Sequence, residues 1–374
     1  MQMSHFKTRT EAMETPGGID HKKRAMAKSA AWLLLAASLG PTSAVHALSG
    51  SSEELSEITQ QPPWGDPSTL VSAIGAGTLA VASVAETVDA YCKGFAYIEL
   101  WRGRIPAEMA EFWGVPAMAD REAAVVGPPE FDRGLIRIVE LGKDFQQVAY
   151  HETLGWAALE IQVRSPDALV SQLEGLPFIH TGGPGDFILR DGTLLFRAVQ
   201  FTGPSGEPLY LTQHMQLDQL APVGRNNVGP LFIQTLVAHP YQQTRDFYLH
   251  TLALKSRLEV DVPRANVAEA FGLPRDSLYK MAAVRAPEFC SIQIDEYPDI
   301  TPERPAAPGC FTPGATMCTF TTRDLDAVAG ALQGAGVQIT EIGSNSIPPF
   351  TGSRAIFCRG YSGERVEIVE VRAV

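Results

Sequence analysis

The chain has 374 residues, of which 45% are hydrophobic and 19% are charged, so its composition excludes an intrinsically disordered protein. This length provides room for two hydrophobic cores of about 150 residues each. The formal net charge of −12 argues against nucleic acid as a partner, because affinity for phosphate groups depends on clustered Lys and Arg side chains.

The N-terminal segment has the order of features typical of an export signal. Basic residues at 22–24 precede the apolar run 30–37, and small residues that a signal peptidase accepts follow at 45–47. The run is too short to cross a bilayer, so no stable membrane span is expected after cleavage. We therefore predict a signal peptide with an upstream extension at 1–47, a linker at 48–71, and an exported protein, periplasmic or secreted.

The remaining sequence repeats itself at a spacing of 157 or 158 residues. A tandem repeat of this length predicts two copies of one folding unit. The paired features are a tyrosine that ends an amphipathic helix (Tyr91 and Tyr248), an aromatic segment before Gly and Pro (111–116 and 269–274), an Asp before an apolar helix (Asp167 and Asp324), and a Gly-Glu turn before a strand (206–207 and 363–364). The polar segment 218–227 is predicted to link the copies.

Each copy divides again into two modules with the order strand, helix and three strands. The first module is predicted to contain strand 73–81, helix 84–91 with Ser83 as N-cap, and strands 97–101, 123–126 and 135–141, with an inserted helix at 106–113. The second is predicted to contain strand 157–163, helix 168–173 capped by the segment from Ser165, and strands 187–189, 194–199 and 209–212. The same order occurs four times in the chain.

A family resemblance lies in the last of these modules, at 315–371. Its motifs are Thr-Phe-Thr-Thr-Arg-Asp-Leu-Asp at 319–326, Ala-Gly-Val at 335–337 and Gly-Tyr-Ser-Gly-Glu-Arg-Val-Glu-Ile at 360–368. This stretch resembles a module of the vicinal oxygen chelate superfamily, which includes glyoxalase I, extradiol dioxygenases, epimerases, and fosfomycin- and bleomycin-resistance proteins. The fold hosts many reactions, so the resemblance is informative about structure first.

The resemblance, which covers about 72–371, implies an α+β fold. Four βαβββ modules would pair into two tandem glyoxalase-like domains, preceded by the signal peptide. The first domain would span 72–217 and the second 228–374, each with two modules that close into a half-open cup. A small-molecule ligand is the partner that such a cup implies.

The resemblance also implies where ligands would lie, because the family places metal ligands on the first and last strands of the modules that form a cup. Those positions are Ala76, Glu140, Glu160 and Tyr210 in the first copy and Phe232, Gln293, Met317 and Glu367 in the second. Neither set contains the histidines that zinc, nickel or iron sites of this fold use. No cofactor is therefore predicted, although a divalent metal stays possible with Glu367 as its candidate ligand.

Two carboxylates and a phenol remain in the predicted cup of the first copy. Alternation along strand 157–163 points Glu160 inward, and the family pattern places Glu140 and Tyr210 inward as well. Two carboxyls in a partly desolvated site can share one proton near neutral pH, and a phenol can donate a hydrogen bond to a developing oxyanion. We therefore predict a lyase or isomerase of a small oxygenated or aromatic molecule, with these three residues as catalytic groups.

Three other interpretations remain open. The carboxylates can be structural, paired with Arg137 or Arg197. The protein can bind and sequester a small molecule without catalysis. It can also be a metal-dependent, extradiol-type dioxygenase, which stoichiometric metal in the purified protein would indicate.

Four further side chains are candidates for substrate binding. Gln234 and Gln293 are predicted to face the cup as hydrogen-bonding partners. Trp101 and Trp113 flank the inserted helix, where they either pack in the core or cover an aromatic substrate.

The five cysteines show no spacing typical of zinc or of a redox pair. Export would permit disulfides, and Cys318 with Cys358 is the pair that we expect to be able to form one. A homodimer is possible, because such modules often pair through sheet edges.

Overall fold

The computed structural model describes residues 69–142, 152–188, 194–214, 223–224, 226–287 and 290–371. The predicted signal peptide lies outside these ranges. Within them, sixteen strands form two mixed sheets of eight strands each. The predicted α+β fold with four βαβββ modules is confirmed.

The elements of the four modules have the following bounds. Module 1 contains β1 (Ala73–Val81), α1 (Val84–Phe95), β2 (Ile98–Arg104), α2 (Ala107–Phe112), β3 (Glu122–Gly127) and β4 (Leu135–Glu140). Module 2 contains β5 (Gly155–Val163), α3 (Pro166–Gln172), β6 (Ile179–Ile188), β7 (Leu194–Thr202) and β8 (Pro208–His214). Module 3 contains β9 (Val228–Ala238), α4 (Tyr241–Asp246) with a π-helical turn (Phe247–Thr251), β10 (Lys255–Pro263), α5 (Ala265–Ala270), β11 (Leu278–Ala286) and β12 (Cys290–Glu296). Module 4 contains β13 (Gly314–Thr322), α6 (Leu325–Gly334), β14 (Ile339–Ile342), β15 (Ala355–Arg359) and β16 (Arg365–Glu370).

Each sheet takes one module from each copy of the repeat. The strand order β14-β15-β16-β13-β1-β4-β3-β2 joins modules 1 and 4, and we call this the 1–4 sheet. The order β10-β11-β12-β9-β5-β8-β7-β6 joins modules 2 and 3 in the 2–3 sheet. In both sheets the first strands of the two modules pair antiparallel, β1 with β13 and β5 with β9.

This pairing corrects the expectation that consecutive modules share a cup. Glu140 belongs to the 1–4 sheet and Glu160 to the 2–3 sheet, so the two carboxylates do not form one site. The physical reason is that the first strand of every module offers the same kind of free edge. The repeat therefore identifies the modules without specifying which of them pair.

Side-chain caps begin three of the helices, two of them as predicted. The Ser83 side chain accepts a hydrogen bond from the backbone N–H of Glu86 at the start of α1, and Ser165 accepts one from Ala168 at the start of α3. Asp324 does the same for α6. Such caps satisfy N–H groups that have no partner inside the helix.

The main hydrophobic core lies between the two sheets. Leu159, Ile161 and Val163 of β5 are fully buried in it, as their alternation predicts, together with residues of α1 and of β4. Hydrogen bonds also connect the sheets: the indole N–H of Trp156 donates to the carbonyl of Arg365 at 2.8 Å. The opposite face of each sheet is the cup face, and the two cups differ in their contents.

A buried tyrosine–glutamate pair, present in both copies, holds the sheets together. The hydroxyl of Tyr91 on α1 donates to Glu207 at 2.8 Å, and that of Tyr248 donates to Glu364 at 3.0 Å. A hydroxyl pair one helical turn earlier accompanies each of them: Thr87 with Ser205 at 2.9 Å, and Thr244 with Ser362 at 2.7 Å. Each helix packs on one sheet, and the Glu that its Tyr contacts lies in the last hairpin of the other sheet. The tyrosines and glutamates that repeat in the sequence are therefore hydrogen-bond partners in the fold.

The hairpins that carry these glutamates require glycine. Each Glu side chain folds back over a glycine four residues earlier, Gly203 under Glu207 and Gly360 under Glu364. The carboxylate occupies the space where a Cβ would stand, so any larger residue would displace it.

Two other expectations concern cysteines and membranes. Cys318 and Cys358 stand on either side of β16, where both are in register with Val366. Two strand spacings are about 10 Å, too far for a disulfide, so the predicted pair is wrong.

None of the described helices is long and apolar enough to cross a membrane.

Candidate functional site

The cup face of the 1–4 sheet is filled by its own side chains. Trp113, which follows α2, is fully buried there, and Trp101 is partly buried against the same cluster. Other members come from both modules: Phe112, Phe311, Ile347, Phe350 and Phe357. Trp113 and Trp101 therefore pack in a core, which is the first of the two alternatives that their sequence positions left open.

Glu367 lies at the centre of this packed cup and is fully buried. Four donors surround its carboxylate: the Trp113 indole at 2.9 Å, the Arg137 guanidinium at 3.0 Å, the Thr319 hydroxyl at 2.6 Å and the Asn345 amide at 3.3 Å. Arg137 is also fully buried, and its guanidinium lies 4.9 Å from the centre of the Trp113 ring.

These residues do not fit a divalent metal. The Arg137 guanidinium supplies the positive charge beside Glu367, and the other neighbours are hydrogen-bond donors that cannot act as ligands while they bind the carboxylate. No group of three His, Cys, Asp or Glu suited to hold a metal occurs in the described part of the chain. The assignment of Glu367 as a candidate ligand is therefore not supported by its surroundings.

Glu140 does not point into a cup, contrary to the family pattern. On β4, Leu135 and Val139 pack in the 1–4 cup, whereas Ile136 and Ile138 pack in the core between the sheets. Glu140 follows the alternation of the core-facing residues and is half-buried at the strand end. Because β4 carries buried apolar residues on both faces, its sequence does not reveal which face is inward.

The 2–3 cup brings Glu160 and Tyr210 together, as predicted. The two residues are register partners on the parallel strands β5 and β8, and both are buried. Burial raises the pKa of Glu160 to about 7, an effect that the Thr212 hydroxyl and the charge of Arg257 partly oppose. Burial also raises the pKa of Tyr210, and nearby Asp295 adds to this, so the phenol stays protonated.

Module 3 supplies the facing part of the same cup. The half-buried Gln293 donates to both carboxylate oxygens of Asp295 at 3.1 Å, and Arg264 forms an ion pair with that carboxylate. Ile233, the register partner of Glu160 on β9, is also half-buried. The immediate surroundings of Glu160 are thus polar, and a small apolar cluster that includes the buried Tyr279 and Tyr297 lies near Tyr210 and Asp295.

Gln234 lies on the other face of its strand, which corrects its predicted position in the cup. It is in register with Leu159, is fully buried, and donates to the carbonyl of Met317 in the other sheet at 3.4 Å. A register shift between Glu160 and Ile161 on β5 marks an irregularity in β9. Such a bulge changes the alternation, and it cannot be read from the sequence.

Arg257 and His214 also belong to the 2–3 cup, although sequence reasoning missed both. The guanidinium of Arg257, on the edge strand β10, donates to Nε2 of His214 at the end of β8, at 2.6 Å. Burial, helped by Arg257, lowers the pKa of His214 to about 3, so the ring is neutral. The alternation Tyr210, Thr212, His214 was the available signal, because β8 is longer than the predicted strand.

Of the comparisons with known proteins, the one with solved structures found similar folds. A scan with protein-family models and a search of curated proteins by sequence found no match. The structure of glyoxalase I from Zea mays is similar, with a TM-score of 0.55 and 15% identity over 80% of this chain and 92% of that chain. A Bacillus subtilis protein that carries the name of a dioxygenase is similar, with a TM-score of 0.54 and 13% identity over 81% of this chain and 86% of that chain. The chain therefore has the fold of the vicinal oxygen chelate superfamily.

Proposed function

We propose that this protein, exported from the cell that makes it, is a lyase or isomerase that moves a proton on a small oxygenated molecule in the 2–3 cup. The observation that carries the proposal is Glu160, a buried carboxylate beside the phenol of Tyr210, with a pKa raised by burial to about 7. A general base works best when its pKa lies near the operating pH. Glu160 meets this condition without a second carboxylate.

The proposed step begins with Glu160 ionised. Its carboxylate takes a proton from a carbon next to a carbonyl group, so a C–H bond breaks and an O–H bond forms on Glu160. The electron pair of the C–H bond moves into the enolate, whose oxygen accepts a hydrogen bond from Tyr210. Return of the proton from Glu160 to another carbon completes an isomerisation. In an elimination, the enolate electron pair forms a C=C bond, the bond from the adjacent carbon to the leaving group breaks, and Glu160 gives its proton to that group.

The surroundings of Glu160 favour this order of events. Burial destabilises the ionised carboxylate relative to the neutral acid, which promotes uptake of the proton. Tyr210 keeps its own proton because burial raises its pKa, so it acts as a donor and not as a competing base. The original hypothesis of two carboxylates sharing a proton is replaced by one carboxylate and one phenol.

Binding without catalysis is the second candidate function, because the same polar cup can hold a ligand without reaction. The dioxygenase alternative has less support, since the neutral ring of His214 is engaged by Arg257 and Asp295 is paired with Arg264. The His214 and Asp295 side chains, which are of the types that bind metals, are thus already engaged by arginine side chains of the same protein.

Replacing Glu160 by Gln tests the proposal. We expect the wild-type protein to exchange a carbon-bound proton of an enolisable carbonyl compound in D2O, and Glu160→Gln to slow this exchange by about 10²–10⁴-fold. The measurement is NMR of a panel of charged and uncharged carbonyl compounds between pH 5 and 9. The wild-type rate should rise with pH and level off above about 7, where Glu160 is ionised.

Glu140→Gln is the matched control, because Glu140 lies on the other sheet and outside both cups. It should leave the exchange rate unchanged. Exchange by Glu160→Gln at the wild-type rate would refute the assignment. Ligand binding by the wild type without any exchange would favour the binding protein instead.

A further inference from the structure

We propose that the molecule bound in the 2–3 cup is a small carboxylic acid whose carboxylate pairs with Arg257. This inference rests on the proposed function for the location of the site, and it adds the substrate class. The starting observation is the set of contacts that Arg257 makes.

Arg257 is a half-buried cation without an anionic partner at hydrogen-bonding distance. Its Nη2 donates to the neutral ring of His214, and no carboxylate forms an ion pair with it within the described part of the chain. Burial and the nearby Arg285 lower its pKa to about 10, and Glu160 acts on it only through its longer-range charge. Taking a charge out of water is costly unless an opposite charge compensates for it.

The contact with His214 places the guanidinium over the cup. His214 lies two and four residues beyond Thr212 and Tyr210 on β8, so alternation puts the three side chains on one face of the strand. Strand β10, which carries Arg257, stands at the far edge of the sheet from β8. The sheet must therefore curve for the two side chains to meet, and Arg257 spans the cup near Glu160.

A carboxylate fits this position better than other anions. The guanidinium fork of Arg binds carboxylate in a bidentate way, and the Nε and Nη1 donors of Arg257 make no hydrogen bond to any described residue. A phosphate dianion would bring a second negative charge near Glu160 and oppose the ionisation that the proton transfer requires. A singly charged acid compensates Arg257 and leaves Glu160 able to ionise.

Binding measurements with defined probes test the proposal. The probes are pyruvate and benzoate, their uncharged amides, and inorganic phosphate, each titrated by calorimetry against wild type and Arg257→Gln. We expect at least one carboxylate to bind, and Arg257→Gln to weaken that binding by about tenfold to hundredfold, the loss typical of a charged hydrogen bond. The amides should bind no better to wild type than to the variant.

Arg102→Gln is the matched control, because Arg102 lies on β2, the edge strand of module 1 that corresponds to β10, and pairs with Glu99 and Glu122 at the surface. It should bind the carboxylates as wild type does. A second readout is the unfolding temperature without ligand, which Arg257→Gln should keep or raise, since it removes an uncompensated charge.

Equal binding of amide and acid, tighter binding of phosphate than of carboxylate, absence of carboxylate binding, or loss of folding in Arg257→Gln would each overturn the inference. Failure of the proposed function looks different. Glu160→Gln should still bind the carboxylate, so Arg257-dependent binding without proton exchange would leave the substrate class standing and remove only the catalytic step.

Discussion

Replacement of Arg137 by Met should lower the free energy of unfolding by about 3–5 kcal/mol, because it leaves a buried charge without its partner. Arg137 and Glu367 are both fully buried and form an ion pair of 3.0 Å inside the 1–4 cup. Met matches the length and packing of the Arg stem but supplies no charge. Urea denaturation followed by circular dichroism measures the loss.

Two variants separate the charge effect from the change in packing. Arg102→Met, at a partly exposed pair with Glu99 and Glu122, should cost about 0–1 kcal/mol. The double variant Arg137→Met, Glu367→Leu should recover much of the loss, since no buried charge remains. A loss below about 1 kcal/mol in Arg137→Met would contradict the structural role that we assign to this pair.

Raising the pH should destabilise the protein through the two Tyr–Glu pairs. Burial raises the pKa of Glu207 and of Glu364 to about 7, although backbone and tyrosine hydrogen bonds partly oppose the shift. The folded state therefore keeps a proton on each carboxyl that the unfolded chain releases above about pH 4.5. This contribution is fully present below that pH and is lost as the pH rises through about 7.

The expected loss is about 2–4 kcal/mol for each glutamate between pH 4.5 and pH 8, measured as free energy of unfolding in urea at a series of pH values. Glu207→Gln and Glu364→Gln should each flatten the profile, because Gln resembles the protonated acid. Asp326→Asn serves as control, since a hydrogen bond from Arg354 lowers the pKa of Asp326 and places its titration below this range. Stability that increases from pH 5 to pH 8 would contradict the prediction.

Local features of the fold were predictable because they depend on neighbouring residues. Strand β1 was predicted with its observed bounds, Ala73–Val81, and Ser83 and the segment at Ser165 mark the helix starts that the structure has. The face of Glu160 also followed from alternation, because from Leu159 to Val163 its strand has apolar residues on one face and polar residues on the other. Each of these predictions needed only the local period of the chain.

Long-range features were not predictable, and they decide the site. The pairing of modules 1 with 4 and 2 with 3 separates Glu140 from Glu160, and the local patterns of the module sequences do not reveal it. A bulge turns Gln234 toward the core, and Arg257 enters the cup from a strand at the far edge of the sheet. The sequence alone could therefore predict that Glu160 and Tyr210 lie together, but not which other side chains surround them.

The two cups also differ in the side chains that they contain. In the 1–4 cup, aromatic side chains pack around the buried Arg137–Glu367 pair. In the 2–3 cup, Glu160, Tyr210 and Arg257 form a polar group with one base, one donor and one cation. This difference is the reason for proposing ligand binding and proton transfer in the 2–3 cup and a structural role for the 1–4 cup.

A crystal structure of the full chain soaked with benzoate tests this division most directly. We expect electron density for the carboxylate of benzoate against Arg257, with its ring on the cup face of the 2–3 sheet near Glu160. Benzoate bound beside Glu367 in the 1–4 cup, with none at Arg257, would contradict it.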